Sequence, residues 1–317
     1  MGPLQVVTCL FNPIRYKRRY ELFGHFLKHM ADSGVDLFVV ECAFGNRPFE
    51  FTAAGNPRHI QVRAPDELWL KENLINLGIQ RTDGDHIAWL DSDIHFTQPN
   101  WAEEIVEQLQ HYQFIQPWSH ALYLDPKGGA TTRHSSFCHD WVTQQSGLYK
   151  PERKGYMIGP DFNWHPGLAW AARREALDAV GGLVECDILG GGDLHMSRCL
   201  VGKYEEGFNE FGAARPRDIT VGYRNVVLNW QKHCEAHIKM DIGYLDGTIV
   251  HYWHGPMWAR MYSHKWEIII RNKYDPNIHL KKTSQGVLQW SAAATPQLRD
   301  DLRSYFRIRS EDSVEMS

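Results

Sequence analysis

Short apolar runs and stretches of helical spacing alternate along the first part of the chain. Residues 4–10, LQVVTCL, are a β-branched run ending in FNP, which predicts a strand followed by a loop. Tyr20, Phe23, Leu27 and Met30 recur near helical spacing and predict a helix over 18–33, stopped by Gly34. Strands are expected at 35–40 (VDLFVV) and 58–63, then an amphipathic helix over 67–80 with Leu70, Leu74 and Leu77 on one stripe. Residues 86–90, HIAWL, complete the series as a strand. Strands alternating with helices predict a parallel sheet with crossover helices, and ligands gather at the carboxyl ends of such strands.

The pattern changes after residue 100. A helix is expected over 101–112 and a strand over 113–118, then a long polar loop over 119–163, rich in Gly, Pro and His. Helices follow at 173–181 and 193–203, a strand at 246–253, and a basic, aromatic helix over 257–274 that ends before Pro276. The tail from about 283 is weakly patterned, with a short helix around 296–306. No linker interrupts the chain, which predicts a catalytic domain over 1–275 and a C-terminal extension over 276–317.

Composition narrows the class. The 317 residues are 43% hydrophobic and 23% charged, enough for a packed core. The net charge of −4 excludes a generally basic nucleic-acid coat but not a local basic patch. No apolar run is long enough for a membrane helix. The start MGPLQVVTCLFNP lacks the plan of a signal peptide, and Val6 stands where myristoylation of Gly2 wants Ser or Thr. A cytoplasmic protein is expected, or one in the host cytoplasm if viral. The six scattered cysteines form no C-x-x-C pair and predict reduced core thiols. The 12 tryptophans fit either a Trp-rich core or a cleft that stacks on flat or sugar-like ligands.

The candidate chemistry begins where the HIAWL strand runs into Asp91-Ser92-Asp93. In extended backbone, carboxylates two positions apart point to the same side. Two hard oxygen donors on one side of a cleft suit Mg²⁺ or Mn²⁺, although Asp and Ser are also ordinary turn residues. Asp193 follows three glycines and reads as a helix N-cap. His251 and His254, three apart at a strand end, do not share a strand face, so one is expected to bind metal while the other packs or holds a phosphate. Arg260, Tyr262, His264 and Lys265 follow on a basic helix, facing either a diphosphate or solvent. A G-x-G-x-x-G after the first strand and a P-loop are both missing, which removes the main signals of a dinucleotide-binding dehydrogenase and of a P-loop enzyme.

Together the α/β start, the strand-terminal DSD and the helix KENLINLGI resemble a glycosyltransferase of the GT-A fold, family 2-like or galactosyltransferase-like, over roughly residues 4–275. The segment HPGLAWAARREA (165–176) is similar to the G-x-A-W-A-x-R-R stretch that crosses the cleft floor beneath the acceptor in such enzymes, and GGLVECDILGGGD (181–193) is similar to their G-G-x-x-E…G-G-E-D stretch. The resemblance implies a Rossmann-like nucleotide-sugar-binding α/β/α sandwich with a mostly parallel central sheet. It implies a metal-dependent, inverting hexosyl- or pentosyltransferase with Asp193 as general base. The ion, Mn²⁺ or Mg²⁺, would be held by Asp93, with Asp91 assisting or touching the ribose, and by His254 ahead of His251. Phe11, Asn12, Glu41, Lys71, Asn76, Ser92, Arg260 and Lys265 are expected around the donor, and Gly167, Trp170, Gly191 and Gly192 around the acceptor. Gly192 departs from the pattern, which has Glu there, and this puts acceptor hydrogen bonding at that position in doubt.

UDP is the expected carrier, on family frequency alone. The acceptor is open: a glycan, a protein, or a hydroxylated base in phage-type DNA. Two competing readings use the same residues, a metal-dependent nucleotide-sugar hydrolase and a non-catalytic carbohydrate-binding protein. The floor segment Gly167–Trp170 argues against the first, and intact Asp91, Asp93 and Asp193 argue against the second.

Overall fold

Burial on both faces explains the near-continuous apolar runs at the start of the chain. In the computed structural model, which describes residues 3–143, 164–205, 218–262 and 265–315, β1 (Gln5–Phe11) pairs in parallel with β2 (Asp36–Phe44) and β4 (His86–Leu90), and β2 with β3 (His59–Ala64). Helix α1 (Lys17–Asp32) makes the first crossover and buries Leu22, Phe23, Phe26 and Met30. Gly34, at φ +68°, turns the chain back as expected.

Helix α2 (Lys71–Ile79) makes the next crossover. A Cβ on its Gly78 would lie 2.3 Å from Val7 Cγ1 and 3.0 Å from Val40 Cγ2. The missing side chain lets α2 lie directly on β1 and β2, and this contact sets where its first residues, Lys71 and Glu72, emerge.

The remaining elements in chain order are β5 (Ile94–Phe96), α3 (Trp101–Gln108), β6 (Phe114–Gln116), β7 (His120–Leu124), β8 (Ala130–Ser136), α4 (Phe137–Thr143), β9 (Trp164–His165), β10 (Ala169–Arg173), α5 (Arg174–Val180), α6 (Gly192–Leu200), α7 (Val221–His233), β11 (Ile242–Tyr244), β12 (Thr248–His251), α8 (Lys265–Arg271), α9 (Pro276–His279), β13 (Leu280–Lys282), β14 (Leu288–Trp290) and α10 (Pro296–Ile308). The main sheet has seven strands in the order β11-β6-β10-β4-β1-β2-β3. All its pairs are parallel except those of β10 with β4 and β6. The expected mostly parallel α/β sheet is therefore present. A second sheet, β5-β12-β7-β8-β9, stands beyond the carboxyl end of β4. Among the described residues no helix is long and apolar enough to cross a membrane.

Two expectations are corrected. The polar stretch 119–163 is not a plain loop, because it contains β7, β8 and α4. Strand β8, ATTRHSS, is exposed over its first four residues and lacks the apolar alternation that marks a strand. The rest of that stretch, 144–163, lies outside the described residues, as does His264. The helix expected over 257–274 is broken into a 3-10 turn (Met257–Arg260) and α8, with Met261 at φ +51° between them. Strand β5 and helix α7 carried no recognised signal.

Candidate active site

Three loops meet at the carboxyl end of β4. Strand β5 pairs antiparallel with β12, placing His251 opposite Ile94. The amide of Tyr252 donates to the carbonyl of Asp93 at 2.8 Å. This pairing, absent from the sequence expectation, is what brings the DSD turn against HYWHG. On the other side the amide of Asp91 donates to the carbonyl of Leu168 at 2.8 Å, which seats Gly167 beside the same turn.

Asp91 and Asp93 were expected to face one way. The segment is a turn rather than extended backbone, and the two side chains diverge. Asp93 Oδ2 lies 2.9 Å from His254 Nε2 and 3.9 Å from His251 Nε2. The two imidazole Nε2 atoms are 3.3 Å apart. The chain leaves strand geometry after His251, so the two histidines converge although three residues separate them. Asp93, His251 and His254 offer ligand atoms all within 4.8 Å of one another. Asp93 Oδ1 is buried with no partner among the described residues, as expected of a donor atom reserved for an ion.

Burial pushes His251 well below its ordinary pKa and lowers that of His254, so both rings are neutral and able to ligate. Asp93 is driven the other way. Burial alone would raise it, but the adjoining His254 ring and the fixed charge of Arg260 hold it far down and ionised. The donor set is thus one carboxylate and two imidazoles. Nitrogen donors are poorly matched to Mg²⁺, so of the two expected ions Mn²⁺ fits better.

Asp91 belongs to a different cluster. Lys71 Nζ lies 2.6 Å from Asp91 Oδ1 and 2.8 Å from Asp193 Oδ2. This ammonium bridges the two carboxylates and is not a free donor ligand. Burial first, then the charges of Asp193 and Asp93 beyond the opposing Lys71, push Asp91 up to about 7.

Asp193 sits in the first turn of α6, whose N-cap is Gly191, so its carboxylate is not the cap. It points to Lys71, in a position where the helix dipole favours negative charge. A Cβ on Gly167 would lie 2.7 Å from Asp193 Oδ2, and one on Gly192 would lie 2.2 Å from Glu72 Oε1. The two glycines leave the space that these carboxyl groups occupy.

Glu72, which the sequence reading did not assign, is 5% exposed and faces the same cavity as Asp193. Burial and then the charge of Asp193 push it up to about 8, while an unfolded carboxyl titrates near 4.5. Between those values the native chain holds a proton that the unfolded chain has lost, so stability falls as pH rises through this window. In metal-free protein, Glu72→Gln should match the wild type near pH 5 and become progressively more stable than it toward pH 8. The gain is roughly 1.4 kcal/mol for each pH unit over which the two states differ in charge. Thermal denaturation across that range checks this, and parallel curves for the two proteins would refute it.

One cavity of about 140 Å³ collects Asp91, Asp93, His251, His254, Arg260 and Lys265 with Glu72, Asp193, Gly167 and Gly191. Arg260 donates through Nη2 to His254 at 2.8 Å, while Lys265 Nζ donates to the carbonyl of Gly190. A second cavity of about 100 Å³ shares Trp69, Lys71, Asp91, Asp93 and His254, and adds Phe11 and Ser92.

Four expected site residues are placed elsewhere. Asn12 closes the loop after β1 through hydrogen bonds with the backbone N and O of Tyr16, at 3.0 and 2.8 Å. Glu41 accepts from the amides of Glu50, Phe51 and Thr52 and from Thr52 Oγ1, which uses up its carboxylate. Asn76 bonds the backbone of Leu183 in both directions and also donates to Glu185. Trp170, 1% exposed, donates from Nε1 to the carbonyl of Pro166 at 2.7 Å and offers no stacking face. The floor-segment argument against a hydrolase therefore rests on Gly167 alone. Trp69 lines both cavities, edge-on to Phe11 at 5.2 Å. Its position before α2 made it look like one more apolar residue of the helix.

No family model matches the sequence, and no curated protein matches it. Among solved structures, the chain is similar to Drosophila β1,4-galactosyltransferase 7 in complex with manganese, UDP-Gal and xylobiose, at 14% identity and a TM-score of 0.34 over 62% of this chain and 60% of that one. It thus spans about 60% of that protein's length. It is similar to glucosyl-3-phosphoglycerate synthase from Mycobacterium tuberculosis in complex with Mn²⁺ and UDP-glucose, at 11% identity and a TM-score of 0.38 over 91% and 86% of the two chains. A putative nucleotide-diphospho-sugar transferase from Desulfovibrio desulfuricans G20 is similar at 12% identity and a TM-score of 0.31 over 97% and 98%. The geometry of the cavity, not these likenesses, carries the function proposed next.

Proposed function

We propose that this protein is a metal-dependent glycosyltransferase, moving a sugar from a nucleoside-diphosphate sugar to an acceptor hydroxyl with inversion. The observation that carries it is the polarity of one cavity. The Asp-His-His set and Arg260 line it together with Asp193 and Glu72, and Lys265 reaches it beside Gly190 and Gly191 at the start of α6. Diphosphate and hydroxyl chemistry need such cations and carboxyl groups side by side.

Asp93, His251 and His254 would hold the divalent ion, which supplies charge neutralisation at the leaving diphosphate. Arg260 and Lys265 add fixed positive charge there. Asp193 accepts the proton of the acceptor hydroxyl as its oxygen attacks the anomeric carbon. The bond from that carbon to the diphosphate breaks, and its electron pair leaves with the phosphate. Lys71 holds Asp193 in place. A single displacement of this kind inverts the anomeric centre.

Thermal-shift measurements with UDP-glucose, UDP-galactose and UDP-GlcNAc, each with and without Mn²⁺, test the reading. A donor that raises the melting temperature only with Mn²⁺ is the expected result, since a ligand of the native state stabilises it by mass action. If neither these donors nor their GDP, CDP and dTDP counterparts produce a metal-dependent shift, the proposal fails. UDP released from the bound donor in the absence of any acceptor, at the rate seen with one, would favour the hydrolase.

A further inference from the structure

The C-terminal segment brings to the cavity a cation that the mechanism above leaves unused. Helix α10, capped by Thr295 and anchored by Leu298, Leu302, Tyr305 and Phe306, carries the chain back to the carboxyl edge of the sheet. The following residues pass against the loop that holds His254. A Cβ on Gly255, at φ +92°, would lie 2.9 Å from the carbonyl oxygens of Arg309 and Ser310 and from Glu311 Cα, so a side chain there would push the segment away.

Arg309 is 6% exposed and borders both cavities. Its guanidinium stands 5.1 Å from the Trp69 ring. Nε donates to Glu311 at 2.6 Å and Nη1 to Tyr305 Oη at 3.1 Å, while Nη2 has no hydrogen-bond partner among the described residues. Glu311 is 1% exposed and already meets a second guanidinium, since Arg19 donates to both its oxygens. Buried Arg309 and half-buried Arg19 therefore share one carboxylate. Arg260 adds a third cation nearby, bonded among the described residues to His254 and Tyr262. Uncompensated positive charge out of water is costly and is compensated by a bound anion. A guanidinium with a free edge matches phosphate oxygens.

We propose that Arg309 is a diphosphate ligand of the donor, directing Nη2 at the phosphate group beside Asp93, His251 and His254. Residues 296–311 are then a wall of the catalytic site rather than an appendage to it. The inference rests on the nucleotide-sugar reading and deepens it.

Inorganic pyrophosphate with Mn²⁺ is a probe that needs neither the nucleoside nor the acceptor to be known. Its affinity is read by calorimetry on the full chain, and Mn²⁺ affinity alone by electron paramagnetic resonance. Arg309→Gln should weaken pyrophosphate about tenfold or more, the scale of a charge-assisted bond, with Mn²⁺ affinity unchanged. Arg309→Lys keeps the charge beside Glu311 and preserves folding, but lacks the forked edge, and should show the same loss. Unchanged pyrophosphate affinity in folded Arg309→Lys would overturn the assignment, and so would an equal loss of Mn²⁺ affinity. A wild-type protein that binds Mn²⁺ but no pyrophosphate would overturn the nucleotide-sugar reading as well, which separates the two failures.

Discussion

Asp93→Ala is expected to abolish Mn²⁺ binding and, with it, transfer. The carboxylate is the one anionic member of the Asp-His-His set. Without it two neutral imidazoles remain beside Arg260, a poor site for a dication. Loss of transfer should be about a thousandfold or more, since charge on the leaving group dominates the barrier in such a displacement. The fold should survive. Asp93 occupies a turn, and its removal also relieves the burial of a carboxylate with an unpartnered oxygen. Titration with Mn²⁺ followed by a turnover assay in excess metal checks both halves. Asp91→Ala is the internal contrast, because Asp91 pairs with Lys71 and lies outside the metal set. It should retain Mn²⁺ binding. Full turnover by Asp93→Ala in the presence of chelator would remove the metal from the account.

Asp193→Asn is the second large effect. It is expected to leave donor and Mn²⁺ affinity near those of the wild type and to lower transfer by roughly 10²–10⁴-fold, the range of a general base. An amide keeps the volume and can still accept from Lys71 through its oxygen, so the cavity stays intact. What is lost is a proton acceptor beside Gly167, where no side chain intrudes. Single-turnover rates and donor affinities measured on the same preparation separate the two roles. A parallel fall in donor affinity would make Asp193 a structural partner of Lys71 instead of a base.

Much of the parallel half of the fold was legible in the sequence. The runs at β1, β2, β3, β4 and α1 are local signals, set by burial on both sides of a parallel sheet and by one apolar stripe on a helix. The same logic placed Asp91 and Asp93 at the carboxyl edge of the sheet, whereas Asp193 was expected in the site from the resemblance alone. It failed where polarity and function diverge. Glu41 and Asn76 are buried polar residues whose hydrogen bonds hold loops, and a residue type alone does not separate that duty from ligand binding.

By itself the sequence determined the strand and helix order around β1 to β4, the abrupt acidic turn, and the set of residue types from which the site is made. Those follow from periodicity and from the side chains' own chemistry. Only the tertiary structure decided which acid joins which partner. The β5–β12 pairing turns Asp93 toward His251 and His254, while Lys71 on α2 draws Asp91 and Asp193 together. It also decided that Glu72 fills the space left by Gly192 and that Arg309, far along the chain, lines the cavity. Contacts of this kind depend on how separate elements dock, and sequence periodicity records the face an element buries but not the neighbour it meets.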